Sequence, residues 1–92
     1  MIRSFKDKRT EALFGGADVA AFRSFREQAE RRLQILDSAP SLRTLGALRS
    51  NGLHALTRDR QRQHAIRINK QWRICSIWGV NGPYDVEICD YH

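Results

Sequence analysis

The sequence predicts an α+β fold, in which two to three N-terminal helices pack on a small, mainly antiparallel, twisted β-sheet. Three observations support this prediction. Apolar residues recur every three or four positions over residues 20–37, which is typical of an amphipathic helix. Residues 64–69 and 72–78 alternate polar residues with residues that favour strands, and Asn81-Gly82 is a strong hairpin signal. The 92 residues suffice for one such domain, spanning 1–92.

The chain begins with a short alternating stretch followed by a first helix. Residues 1–5 alternate polar and apolar side chains, which predicts a first strand beside the later hairpins. Asp7 is placed to cap a short helix that continues to Phe14. Gly15-Gly16 would end that helix, because glycine readily adopts the backbone conformation found after a helix C-terminus.

A longer helix is predicted from Ala20 to Asp37, with Asp18 as its cap. Its apolar residues form one continuous stripe, which we expect to face the core: Phe22, Phe25, Ala29, Leu33 and Leu36. Pro40 ends this helix, and the leucine spacing after Ser41 predicts one or two further helical turns.

Two tight turns are predicted to fix the pairing of the last three strands. With Asn81-Gly82 and Lys70-Gln71 as central turn residues, Arg73 lies opposite Asp90. Directly opposed residues share a face of the sheet, and the predicted core face comprises His64, Ile66, Ile68, Arg73, Cys75, Ile77, Val86, Ile88, Asp90 and His92. In this register Cys75 and Cys89 lie on opposite faces, so we expect two reduced thiols rather than a disulfide.

The chain is strongly basic, with 16 Lys and Arg against 10 Asp and Glu and a net charge of +6. Most of these cations are interleaved with apolar residues rather than gathered in a tail, which favours a folded surface that binds a polyanion such as RNA. Candidate RNA-contacting residues follow the helices and precede the final strand: Arg58, Arg60, Arg62, Arg67 and Lys70. In extended form Arg58, Arg60 and Arg62 would project to one side. A solvated basic surface without a partner is the alternative.

The last three positions carry titratable side chains close to Arg73. RNA cleavage by the 2′-hydroxyl needs a base, an acid and cations that stabilise the extra charge on the phosphate, and it needs no metal. Asp90 and His92 are two residues apart and therefore reach the same face of a strand. Arg73 could hold the phosphate, while Tyr91 could donate a hydrogen bond or stack on a base. An ordinary ion pair between Arg73 and Asp90 is the alternative.

Neither a metal nor a cofactor is expected, because the sequence has no CxxC motif and no zinc-ligand spacing. No run of 18 apolar residues is present, which argues against a membrane span. The first 14 residues lack the apolar stretch of a secretory signal. We therefore expect a cytoplasmic protein with no membrane partner.

Three motifs together resemble the HigB-type toxins of the RelE/ParE superfamily: the opening MIRSF, the pattern RINxxWR at residues 67–73 and the terminal DYH. The resemblance covers essentially the whole chain. It implies an endoribonuclease that cuts mRNA on the translating ribosome and inhibits translation. It also implies neutralisation by a HigA-like helix-turn-helix antitoxin, with operator DNA bound only through the toxin–antitoxin complex.

The resemblance assigns catalytic roles to Arg73, Asp90, Tyr91 and His92, and a matching RNA-contacting position to His54 in GLHAL. This chain departs from some relatives, which carry a catalytic lysine where it has Thr57. A weaker nuclease is therefore expected. Two other functions stay open: a non-enzymatic, ParE-like toxin that binds a target such as DNA gyrase, and an RNA- or ribosome-binding module without toxicity.

Overall fold

The structure is a computed structural model that describes residues 1–57, 60 and 62–90. Its helices precede the sheet: α1 (Lys8–Phe14), a 3₁₀ helix (Ala20–Phe25), α2 (Arg26–Ser38), α3 (Leu42–Ala47) and a short 3₁₀ turn (Arg49–Asn51). The predicted long helix is thus a 3₁₀ segment that runs directly into α2. Asp18 does not cap it, because its carboxylate instead accepts two hydrogen bonds from Arg23, at 3.1 and 2.9 Å. Ser41 caps α3 by accepting the Thr44 N–H at 3.1 Å.

The strands form an antiparallel meander in the order β1 (His54–Ala55), β2 (Gln63–Arg67), β3 (Trp72–Gly79) and β4 (Gly82–Asp90). The two-residue β1 was not predicted. Residues 1–5 run parallel to the free edge of β4 but form an isolated bridge, Phe5 with Val86, rather than a strand. The α+β prediction, with helices packed on a small antiparallel sheet, is confirmed. In the part of the chain that the structure describes, no helix combines the length and apolarity needed to cross a membrane.

The core lies between the helices and one face of the sheet. The predicted stripe of the long helix is buried throughout, with exposures of 4% or less: Phe22, Phe25, Ala29, Leu33 and Leu36. From the sheet, Ile66, Ile74 and Ile88 meet this stripe, and they lie directly opposite one another on β2, β3 and β4. Trp72 stacks on Phe25 with ring centroids 4.9 Å apart, which ties the 3₁₀ segment to the start of β3.

Between β2 and β3, the turn inside the closing pair Ile68–Trp72 has three residues, Asn69 to Gln71, where the sequence predicts a two-residue turn. The side-chain oxygen of Asn69 accepts the backbone N–H groups of Gln71 and Trp72, both at 2.8 Å. Ile68 N donates to Trp72 O at 3.0 Å and closes the loop. This local capping by Asn69 widens the turn and shifts the register of β2 against β3 by one residue.

The β3–β4 connection also differs from the prediction. Its central residues are Val80-Asn81, because Gly79 lies opposite Gly82. Further along, β4 contains a bulge at Asp85, where the register shifts and Asp85 adopts a left-handed φ of 52°. The bulge places one extra residue in β4 opposite Ser76. Turn and bulge together leave this register one residue away from the predicted one.

These shifts exchange the two faces of β3 relative to the prediction, because a slip of one residue moves every side chain to the other face of the sheet. Of the residues of β2 and β4 predicted to face the core, Ile66, Val86 and Ile88 do so, whereas Asp90 is exposed and His92 lies outside the described residues. On β3, however, Ile74 and the partly buried Trp72 and Trp78 pack on the core. The predicted β3 core residues, namely Arg73, Cys75 and Ile77, alternate with them and lie on the outer face.

Two predicted relationships are therefore wrong. Arg73 lies opposite Cys89 rather than Asp90, and Asp90 lies opposite Trp72. Cys75 and Cys89 share the outer face of the sheet instead of lying on opposite faces, and both are free thiols.

Candidate RNA-binding site

Two rows of side chains cross the outer face of the sheet, which faces away from the helices. The arginine row consists of Arg67, Arg73 and Cys89, opposed on β2, β3 and β4. The adjacent row consists of His54, Ala65, Cys75 and Glu87, opposed on the four strands. The corrected register thus brings Arg67, Arg73 and His54, all predicted site residues, to one surface.

A pocket of about 170 Å³ opens where the two rows meet. Its lining comes from both rows, from the segment before β2 and from the end of β4: His54, Leu56, Arg60, Ala65, Arg73, Cys75, Cys89 and Asp90. Four of the eight are predicted site residues, namely His54, Arg60, Arg73 and Asp90. Arg73 and Asp90 therefore meet at this pocket although they are not cross-strand partners.

Arg67 and Arg73 converge on a single acceptor. Arg67 Nε donates to the backbone oxygen of Asn69 at 3.4 Å, and Arg73 Nη1 donates to the same oxygen at 3.2 Å. The two guanidinium groups therefore lie close together on the outer face. Like charges opposed across a sheet repel each other and destabilise it. The same pair of charges concentrates positive potential beside the pocket.

Arg60 lies over the pocket from the segment before β2. Its Nη1 donates to Gln63 Oε1 at 3.1 Å and lies 3.7 Å from both Cys89 Sγ and Glu87 Oε2. Burial disfavours its charge, but Cys89, Cys75 and Glu87 outweigh this effect and raise the pKa of Arg60. Arg60 is thus a fixed cation at the pocket wall.

Asp90 lies at the end of β4, where its Oδ2 accepts a hydrogen bond from Gln71 Nε2 at 3.1 Å. The strand that presents it is anchored two residues earlier, since the buried Thr10 hydroxyl accepts the Ile88 N–H at 3.0 Å. The ring Nδ1 of exposed His54 lies 3.4 Å from Gly52 O. Asp90 and His54 therefore place two titratable groups on the lining of one pocket.

The remaining candidate residues lie around this surface or outside the described part of the chain. Lys70 is exposed in the β2–β3 loop. Arg62 is exposed with a left-handed φ of 78°, and the Arg60 N–H donates to Thr57 O in a turn. The predicted extended arrangement of alternating arginines is therefore wrong for this pair. Three predicted site residues lie outside the described residues: Arg58, Tyr91 and His92.

The thiols of Cys75 and Cys89 both line the pocket, where Cys89 Sγ donates to Glu87 O at 3.8 Å. Interaction with the neighbouring Cys89 thiol lowers the pKa of Cys75; burial opposes this, and the positive charges of Arg60 and Arg73 add to it. The same interaction, together with burial, raises the pKa of Cys89. The pair therefore loses its first proton more readily, and its second less readily, than isolated thiols do.

The sequence interpretation missed the thiols because it placed Cys75 in the core. A signal was present, since Trp72 is bulkier and more apolar than Arg73, and Ile74 is bulkier and more apolar than Cys75. Within residues 1–57, 60 and 62–90, no group of three or more His, Cys, Asp or Glu is arranged to hold a metal ion.

A family model described as the RelE-like toxin HigB of type II toxin–antitoxin systems matches residues 3–92. The chain belongs to the HigB-like toxin family. It is therefore the toxin component of a type II toxin–antitoxin system, a class in which an antitoxin partner neutralises the toxin. Among curated proteins, no sequence matches this toxin.

Proposed function

We propose that this toxin is a metal-independent endoribonuclease that cuts mRNA on the translating ribosome and thereby inhibits translation. The observation that carries the proposal is the convergence of Arg67 and Arg73 on one oxygen beside a pocket lined by Asp90. Two guanidinium groups at this spacing suit a phosphate, because each offers several N–H donors in a planar fork. Family membership supports the same assignment.

In the proposed reaction the scissile phosphate lies against the arginine row. Arg73 lines the pocket and would contact the phosphate oxygens on which charge develops, whereas exposed Arg67 would grip the adjoining backbone. Asp90 and His92 would divide the acid–base work, taking the 2′-hydroxyl proton and returning one to the 5′-oxygen. Tyr91 would stack on a base or donate a hydrogen bond.

We infer ribosome dependence because the proposed site has few acid–base groups, so that much of the rate enhancement must come from positioning of the substrate. Positioning the 2′-hydroxyl in line with the leaving oxygen is worth several kcal/mol, and the ribosome could supply that positioning to the mRNA in its decoding site. The toxin has a net charge of +6, and we expect it to bind ribosomal RNA through a set of basic side chains: His54, Arg58, Arg60, Arg62, Arg67 and Lys70. Binding should then weaken steeply as salt increases.

The proposed partner is a HigA-like helix-turn-helix antitoxin. It would neutralise the toxin and bind operator DNA, so that this DNA meets the toxin only through the complex. Type II toxin–antitoxin membership supports an antitoxin partner of this class.

The proposal is tested by inducing the toxin without an antitoxin and mapping mRNA ends by primer extension. Wild type is compared with Asp90→Asn, His92→Gln and Arg73→Gln, and with Arg43→Gln on α3 as a matched control. We expect wild type and Arg43→Gln to arrest growth and cut translated mRNA, while the three site variants lose both effects. Growth arrest with intact mRNA would overturn the proposal and favour a ParE-like toxin that binds a target such as DNA gyrase.

A further inference from the structure

We propose that the Cys75–Cys89 thiol pair is an oxidation site, at which a peroxide-class oxidant forms a reversible disulfide inside the pocket. The two cysteines of the chain lie on neighbouring strands, share the outer face and line one pocket. No role for them follows from the proposed cleavage chemistry.

The strand register places the thiols as diagonal neighbours. Cys75 lies opposite Glu87, so Cys89 is two residues further along β4 on the same face. Diagonal Cα atoms in a sheet are about 7–8 Å apart, while a disulfide usually spans about 4.4–6.8 Å, so closing the bond requires a small backbone shift. The bulge opposite Ser76 and the nearby end of β4 are where such a shift is easiest. A bond closed under strain is readily reduced again, as regulatory disulfides are.

The surroundings favour reaction at this pair. Arg60 Nη1 lies 3.7 Å from Cys89 Sγ, so a cation stands beside the pair and favours loss of the pair's first proton, which yields the nucleophilic thiolate. Cys75 is only 4% exposed, whereas Cys89 is half-buried, so a small oxidant such as hydrogen peroxide fits the site better than a bulky one.

The reaction balances without a metal. One thiolate attacks the O–O bond of the peroxide, forming a sulfenic acid and releasing hydroxide, which takes up the proton that left the thiol. The second thiol then attacks the sulfenic sulfur, the S–S bond forms and water leaves. Two electrons pass from the two sulfurs to the peroxide, and two waters are produced in all.

The test treats the reduced, full-length toxin with hydrogen peroxide, then counts thiols in denaturant and measures the intact mass. We expect the thiol count to fall from two to zero, with a monomer mass lower by two hydrogens and full recovery with dithiothreitol. Cys75→Ser and Cys89→Ser are the controls, and neither can lose two hydrogens. Two surviving thiols, an oxygen gain without a disulfide, or disulfide-linked dimers would each overturn the proposal.

A second arm asks whether the bond changes cleavage, and it alone depends on the proposed function. The disulfide would draw Cys89 from its position opposite Arg73 towards Cys75 and so change the pocket wall between Arg60 and Arg73, and we therefore expect peroxide to suppress mRNA cleavage and dithiothreitol to restore it. Equal cleavage before and after disulfide formation would refute this coupling. Absence of cleavage in either state would refute the proposed function, while the thiol count would still decide whether the site exists.

Discussion

Replacing Arg67 with glutamine should stabilise the free toxin while weakening its hold on RNA. Arg67 Nε and Arg73 Nη1 lie 3.4 and 3.2 Å from the same Asn69 oxygen, so these nitrogens are within about 7 Å of each other. Coulomb's law at that distance gives a repulsion of roughly 0.6 kcal/mol in water and roughly 2.5 kcal/mol at an effective dielectric constant of 20. Because Arg67 is exposed, the lower figure applies.

We therefore expect Arg67→Gln to raise the free energy of unfolding by about 0.5 kcal/mol, or the melting temperature by about 2–4 °C. Glutamine keeps most of the aliphatic stem, and the hydrogen bond that it loses is long. Urea unfolding at low salt measures the gain, which should nearly vanish at about 1 M salt, where charges are screened within about 3 Å. Arg43→Gln, on the opposite layer of the fold, is the matched control.

The same variant should bind single-stranded RNA more weakly, because one phosphate contact is removed. The slope of log affinity against log salt should fall by about 0.7. Two results would refute the idea that the two arginines repel each other in the free protein. One is that Arg67→Gln is less stable than wild type at low salt, and the other is that its stability equals that of wild type at both salt concentrations.

Three further predictions concern the anchor of β4, the Asp18 ion pair and the position of the family lysine. Thr10→Val removes the buried acceptor of the Ile88 N–H and should cost about 1–3 kcal/mol in urea unfolding, and a loss near zero would contradict this. Arg23, through its hydrogen bond, lowers the pKa of Asp18 below the usual 3.8, so this carboxylate stabilises the fold at neutral pH and the gain is lost as the protein is acidified through the lowered pKa. The difference in urea midpoint between wild type and Asp18→Asn should accordingly shrink in acid, and a pH-independent difference would argue against it. Thr57→Lys should raise the mRNA cleavage rate, and an unchanged rate would make this departure from the family irrelevant.

The helical half of the fold was predictable because one pattern determines it. The stripe from Phe22 to Leu36 is periodic, and burying it is the dominant favourable term for that segment. The periodicity did not predict how the helix begins, because Asp18 pairs with Arg23 instead of capping it, and residues 20–25 adopt 3₁₀ geometry.

The register of β3 was not predictable from turn signals, because two local features override them. Asn69 caps a three-residue turn with its own side chain, and Asp85 forms a bulge that no turn rule marks. Each feature shifts the register between neighbouring strands without changing the alternation of side chains along either strand. Weighing the apolar bulk of Trp72 and Ile74 would have assigned the faces correctly.

The candidate site was predictable in its residue types but not in its geometry. Arg73 and Asp90 were expected as cross-strand partners, yet Arg73 lies opposite Cys89, and the two residues come together as lining of the same pocket. The convergence of Arg67 on the acceptor of Arg73 depends on the three-residue turn, and the thiol pair depends on the corrected register. Neither could be read before the strand pairing was known.

The central claim is that this surface cuts mRNA held by the ribosome. The most direct measurement incubates purified toxin with a defined mRNA, either alone or in a reconstituted translation reaction, and maps new 5′ ends by primer extension. We predict cuts within the coding sequence only when ribosomes are translating, with none for Arg73→Gln. Intact mRNA under translation, or equal cutting of mRNA without ribosomes, would contradict the account.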